Sequence, residues 1–422
     1  MSASVLDLGR YLRAGDTVTW GQACAEPATL TELLVEQADR IGPLRCFIGI
    51  PADSALRADT VPDGMEVHSY CGAGTNAALH AQDRLEIWPV HYSTLPRLLS
   101  GGTLHADVVL VQVSPPDEQG RHSLGLADDY FSAALDTARV VIAEINDQVP
   151  YTFGARTLTT DDITASIRTS RTPGQMPTPA FSEDTVGVAR NVAGLVPDGA
   201  TLQFGIGALP EAVLAELRDH RDLGIHSGII NDTAMELVEA GVVTGVNKTH
   251  DRGIAVGGLL GGTTRLFRWA DRNPALLLRP TAYTHDPTIL ATSHRMTAIN
   301  AAIEVDLTGQ VNAELAADRY VGALGGAVDF LRGAACSRGG VPIVALPSTA
   351  RGVGRIVSRL SGPVSTPRSE GIVVVTEHGI ADLRGATVNQ RVERMIAIAH
   401  PDLRADLDAR ADNVLASVRS PR

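Results

Sequence analysis

The chain has 422 residues, 44% of them hydrophobic, 20% charged and only 4% aromatic, with a net charge of -12. That length suits two or three domains of ~100–200 residues each, and the apolar share excludes a disordered chain. The acidic balance excludes nucleic acid or an anionic membrane as the main partner, while leaving room for a local cationic pocket.

Residues 1–16 contain no basic segment followed by an apolar one, so no signal peptide is expected. No run reaches about 18 apolar residues, so no membrane span is expected either. Cys24, Cys46, Cys71 and Cys336 form no CxxC pair and no metal-ligand spacing. They predict reduced thiols, a cytoplasmic setting and no metal site. Forty-one glycines predict tight loops at strand ends. The scarcity of aromatics argues against a pocket built from stacked rings.

In chain order, short β-branched runs at 107–114 (DVVLVQVS) and 139–145 (RVVIAEI) read as strands buried on both faces. The Pro/Thr/Ser-rich stretch 168–182 reads as a linker, dividing the chain into domains at 1–175 and 183–422. Beyond it, 210–220 (PEAVLAELRDH) has helical spacing with a proline at its start. Further strands fall at 341–346 (VPIVAL) and 371–376 (GIVVVT). Such alternation predicts an α/β fold.

The two halves repeat. GDTVTWG at 15–21 parallels GATLQFG at 199–205, with Thr17 and Thr201 184 positions apart. Later, 108–120 parallels 298–309, each an apolar strand ending in Asp-x-x-Gly. The order is kept, which predicts two tandem, similar open α/β domains with the active site between them.

Several segments carry candidate chemistry. Residues 202–212 (LQFGIGALPEA) read as a strand, a Gly-x-Gly turn and a helix start, where free N–H groups can hold an anion. No acidic residue follows at dinucleotide spacing. The glycines at 322–326 can present main-chain N–H groups as an oxyanion hole, or simply turn the chain. Glu304 and Asp306 share one face of a strand, suited to acid–base work, to capping the next turn or to pairing with a nearby arginine. His226 sits at a strand's carboxyl end, where a structural role is the commoner one.

Taken together, these segments resemble the acetyl-CoA hydrolase/transferase family, which includes 4-hydroxybutyrate CoA-transferases and has the class I CoA-transferase fold. The matching stretches are 108–125, 205–210, 299–314 (INAAIEVDLTGQVNAE), 325–333 (GGAVDFLRG), 346–350, 365–368, 376–381 (TEHGIA) and 398–403. They run in order through almost the whole chain. The resemblance implies a coenzyme A thioester as substrate, no permanently bound cofactor, and a homodimer or larger homo-oligomer. It implies that Gly205, Ile206, Gly207, Ala208 and Leu209 lie along CoA with Gly322, and that Gly325 and Gly326 supply oxyanion-hole N–H groups. In the family a glutamate attacks the thioester and becomes a glutamyl-CoA intermediate.

Here the sequence departs from that pattern. The family's glutamate lies in a segment like HTEMFSDG, followed by LVEAG; this chain reads HSGIINDT and then LVEAG at 237–241. Gly228 takes the glutamate's place, and Asp232 aligns with the family's aspartate. Three expectations follow: hydrolysis by water of a thioester, or of a β-keto acyl-CoA with carbon–carbon cleavage; transfer through another acid, Glu304 or Asp232; or a non-catalytic CoA-binding protein.

Overall fold

In a computed structural model, residues 6–154 and 156–416 are described. The first five residues of the N-terminal stretch read above, and the last six of the chain, lie outside them. Seven strands form the first sheet: β1 (Thr17–Trp20), β2 (Leu44–Ile48), β3 (Met65–Ser69), β4 (Glu86–Ile87), β5 (Val108–Val113), β6 (Val140–Asn146) and β7 (Ala165–Thr169). Their order is β4-β3-β2-β1-β5-β6-β7, and every pairing is parallel.

The second sheet contains β8 (Thr201–Phe204), β9 (Gly224–Ile225), β10 (Met296–Ala301), β11 (Val341–Ala345), β12 (Val373–Thr376) and β13 (Gly379–Asp382). They lie in the order β9-β8-β10-β11-β12-β13, parallel except for the final hairpin. In each sheet the chain runs outward from its first strand (β1 or β8) on one side. It then returns to that strand's other flank (β5 or β10). The internal repeat is therefore visible in strand order: Thr17 opens β1 and Thr201 opens β8. Residues 170–182 join the halves without helix or strand.

Alternate residues of each strand face opposite layers, as the pleat requires. Val108, Leu110, Val140 and Ile142 enter an outer core with Trp20, Leu30 and Leu34. Val109, Val111, Val141 and Ala143 face the other way, into a core that also holds Leu202, Phe204, Ile299, Ile343 and Val375 of the second half. One continuous apolar layer thus joins the two sheets. Ala298, Val344 and Val374 fill a third core on the far side of the second sheet. Among the described residues no helix is long and apolar enough to cross a membrane.

Candidate active site

Between the halves, at the carboxyl ends of the central strands, lies a cavity of about 400 Å³. Open α/β sheets bind ligands at this position, beside the first strand where strand order reverses. Gln22 follows β1, Gly205 and Ile206 follow β8, and Ala302 follows β10. Gly228, His285 and the glycine loop Gly322, Gly325 and Gly326 complete the second half's wall, with Tyr70, Cys71 and Tyr92 from the first.

The glycine loop is oriented by the other half. Gly72 N–H donates to the Gly322 carbonyl at 2.8 Å, and Tyr92 N–H to that of Gly325 at 3.0 Å. Because the peptide is planar and trans, the Gly326 N–H points away from Tyr92. The α-helix Ala327–Cys336 then begins, and its first-turn Asp329 accepts bonds from Ser93 N–H (3.3 Å) and Ser93 Oγ (2.9 Å). That helix start aims a positive dipole end toward the loop.

The cavity's polar side chains are held in fixed pairs. Gln203 and Asn300 exchange amide hydrogen bonds of 3.2 and 3.0 Å across β8 and β10. Gln22 donates to Tyr92 Oη and to Asp129, and accepts from Tyr70 Oη and the Ile50 N–H. Burial pushes the Asp129 carboxyl up to about 7. The His285 ring packs against Tyr92 (centroids 4.8 Å apart) and Phe330 (4.5 Å). Burial and the neighbouring His226 push its pKa down to about 3, so the ring is neutral.

The low aromatic share argues only against a pocket built from stacked rings; aromatic side chains nonetheless gather at this one. Tyr70 and Tyr92 of the wall meet each other and the buried Tyr130, which is not part of the wall, edge to face with centroids 5.3–5.8 Å apart. Phe204 and Phe330 also line the cavity. A low overall share says nothing about clustering: three of seven tyrosines gather at one spot.

The other sequence candidates divide. Gly205, Ile206, Gly228, Gly322, Gly325 and Gly326 line the cavity. Gly207, with φ of 121°, caps the helix Ala208–Ala215; Ala208 and Leu209 form its first turn outside the wall, Leu209 buried in the shared core. Glu304 is buried away from the cavity, where one carboxylate oxygen accepts bonds from Asn312, from Ser361 N–H and Oγ, and from Gly362 N–H. Asp232 accepts two bonds from Thr263 at 2.8 Å. Asp306 closes the following turn through Thr308 and Gln310. His226 is fully buried, its Nε2 on the Thr284 carbonyl at 3.1 Å. Gln22, Gln203, Tyr92 and His285 carried no local signal, since each acts through partners distant in sequence.

Two family models match: the acetyl-CoA hydrolase/transferase N-terminal domain over residues 3–163, and the C-terminal domain of the same family over 262–411. The chain is 36% identical over 404 residues to the 4-hydroxybutyrate coenzyme A transferase of Clostridium kluyveri, covering 92% of each. The crystal structure of RipA from Yersinia pestis superposes with a TM-score of 0.89 at 33% identity, covering 97% of this chain and 96% of that one. The structure of 4-hydroxybutyrate CoA-transferase from Porphyromonas gingivalis gives 0.80 at 33% identity, covering 96% and 95%. A two-domain α/β chain with its cavity between the halves, matched along nearly its whole length, belongs to the acetyl-CoA hydrolase/transferase family.

Proposed function

We propose that the protein is an acyl-CoA hydrolase acting on acyl groups that carry no charge. The observation behind this is the cavity wall: among the described residues lining it there is no Asp, Glu, Lys or Arg. Transfer through a glutamyl thioester needs a carboxylate in the wall, and the resemblance puts Gly228 where that carboxylate belongs. The expected stand-ins, Glu304 and Asp232, are committed to loops elsewhere. A carboxylate acceptor would also have to leave water for a space offering no cation, at a cost of several kcal/mol on the order of an unpaired buried ion.

Water entering beside Gly228 would attack the thioester carbon, and the Gly325–Gly326 loop would hold the oxyanion. The same apparatus serves a β-keto acyl-CoA cleaved between carbons. Purified protein is incubated with acetyl-, butyryl-, succinyl- and acetoacetyl-CoA, with and without acetate. Without acetate, an uncharged acyl-CoA is expected to give free thiol and its carboxylic acid if the thioester is cleaved, or, from acetoacetyl-CoA, acetate and acetyl-CoA with no free thiol if the carbon–carbon bond is cleaved. Acyl exchange that requires acetate overturns the reading, as does failure to cleave any of them.

A further inference from the structure

His285 is the one titratable side chain of the cavity wall among the described residues that lies between the two glycines on which the chemistry turns. A Cβ at Gly228 would stand 3.5 Å from His285 Cε1 and 3.8 Å from Nε2; one at Gly326 would stand 2.5 Å from Nε2. The Cε1–Nε2 edge therefore spans the gap between the side from which a nucleophile enters and the loop that faces the carbonyl oxygen. Gly326 has φ of -93°, which any residue can adopt, so its backbone does not demand glycine. The imidazole does: any side chain there would displace it.

We propose that His285 Nε2–H donates a hydrogen bond to the thioester carbonyl oxygen of bound acyl-CoA, making it a second oxyanion donor beside the Gly326 N–H. The inference rests on the acyl-CoA reading above. Donation by His285 requires the Nε2–H tautomer, which the Thr284 hydroxyl can support by donating to Nδ1. That hydroxyl lies 2.9 Å from His285 Nδ1 and 3.5 Å from the Pro280 carbonyl. In that tautomer the hydroxyl proton goes to Nδ1 rather than to the Pro280 carbonyl. With Nδ1 accepting, the ring proton sits on Nε2. The Tyr92 and Phe330 rings clamp the imidazole, and the His285 N–H is tied to the Thr281 carbonyl at 3.0 Å. A neutral ring in this apolar setting donates without surrendering its proton, the arrangement that suits an electrophilic imidazole.

The step balances. A water oxygen bonds to the carbonyl carbon, and the C=O pair moves onto oxygen, held by the two N–H groups. Collapse restores C=O and breaks C–S, and the water's proton ends on sulfur to give the free thiol and the carboxylic acid. The imidazole proton never leaves the ring.

The test compares wild type, His285→Phe and His285→Gln, using the acyl-CoA cleaved fastest by wild type. Loss of one oxyanion donor lowers kcat by about 10²–10³-fold. His285→Phe is expected to show that loss with KM within about threefold. His285→Gln, whose amide can still donate, is expected to recover at least about tenfold of it. A bound [1-¹³C]acetyl-CoA carbonyl is expected to lose its downfield NMR shift in His285→Phe. Phe retaining kcat within about threefold of wild type overturns the proposal. So does Gln no better than Phe when both melt like wild type; if Phe fails to fold, Gln with unchanged kcat and carbonyl shift settles for donation, and Gln with neither overturns it. Wild type inert on every acyl-CoA removes the functional reading, and the proposal with it; an active wild type indifferent to His285 removes the proposal alone.

Discussion

Gly228 and Gly326 flank the same imidazole, and one ångström separates their expected tolerance of a methyl group. At Gly326 a Cβ would stand 2.5 Å from His285 Nε2 and 2.9 Å from Cδ2, against an ordinary carbon contact of ~3.5–4.0 Å. The overlap is about 1 Å, and the ring has no room to retreat because Tyr92 and Phe330 pack on it. Overpacking of this kind costs about 1–3 kcal/mol. At Gly228 the nearest atom would be 3.5 Å away, an ordinary contact, and the backbone does not lie in the left-handed region. There Gly→Ala restricts the unfolded chain and is worth about 0.4–1 kcal/mol of added stability. Gly228→Ala should therefore melt at or slightly above wild type. Gly326→Ala should melt several degrees lower, at roughly 2–4 °C per kcal/mol or somewhat less in so long a chain. Differential scanning calorimetry at one scan rate reads both. Equal losses in the two variants, or a Gly326→Ala that melts like wild type, would refute the packing argument.

Glu26 is buried with its carboxyl pushed up to about 7, so its favourable contribution holds at low pH and is lost as pH rises through 7. Glu26→Gln should gain on wild type between pH 5 and 8, by at most about 3 kcal/mol at 1.36 kcal/mol per pK unit, and urea melts at both pH values read the difference. His226 runs in the opposite sense: burial and the Lys248 charge push it down to about 4. Its contribution is present above pH 6.5 and disappears as pH falls toward 4. His226→Gln, which keeps a donor for the Thr284 carbonyl, should lose less stability than wild type across that window. Installing Gly228→Glu should give a covalent CoA adduct on the enzyme, read by intact-protein mass spectrometry, while exchange onto acetate stays absent for want of a cation among the described residues of the wall. No adduct would mean that residue 228 does not reach the thioester.

What the sequence disclosed depended on how local the cause was. The repeat of 15–21 at 199–205 was readable because glycine spacing and strand pattern are short-range, and those segments begin the two sheets. The glycines of 322–326 were readable as a loop, yet the reason for Gly326 is an imidazole from another segment, so no local pattern contained it. Glu304 and Asp306 do share a strand face, but period two names a face and not its occupants. For Asp306 the turn-capping alternative is local, through Thr308 and Gln310, whereas only the fold brings Ser361 and Gly362 to Glu304. Gln22, Tyr70 and Tyr92 belong to the half without the glycine loops, and their place in the wall comes from the packing of one sheet on the other.

The bonds from Gly72 and Tyr92 to the carbonyls of Gly322 and Gly325 have a thermodynamic consequence. The loop that would grip the substrate is also the latch between the halves. Any ligand that prefers the closed latch must, by linkage, oppose separation of the halves by RT ln(1 + [L]/Kd). Conversely, surface substitutions far from the cavity that loosen the seam must weaken the ligand by the same free energy. Affinity in this protein is thus partly a property of its seam, set by residues that never approach the substrate.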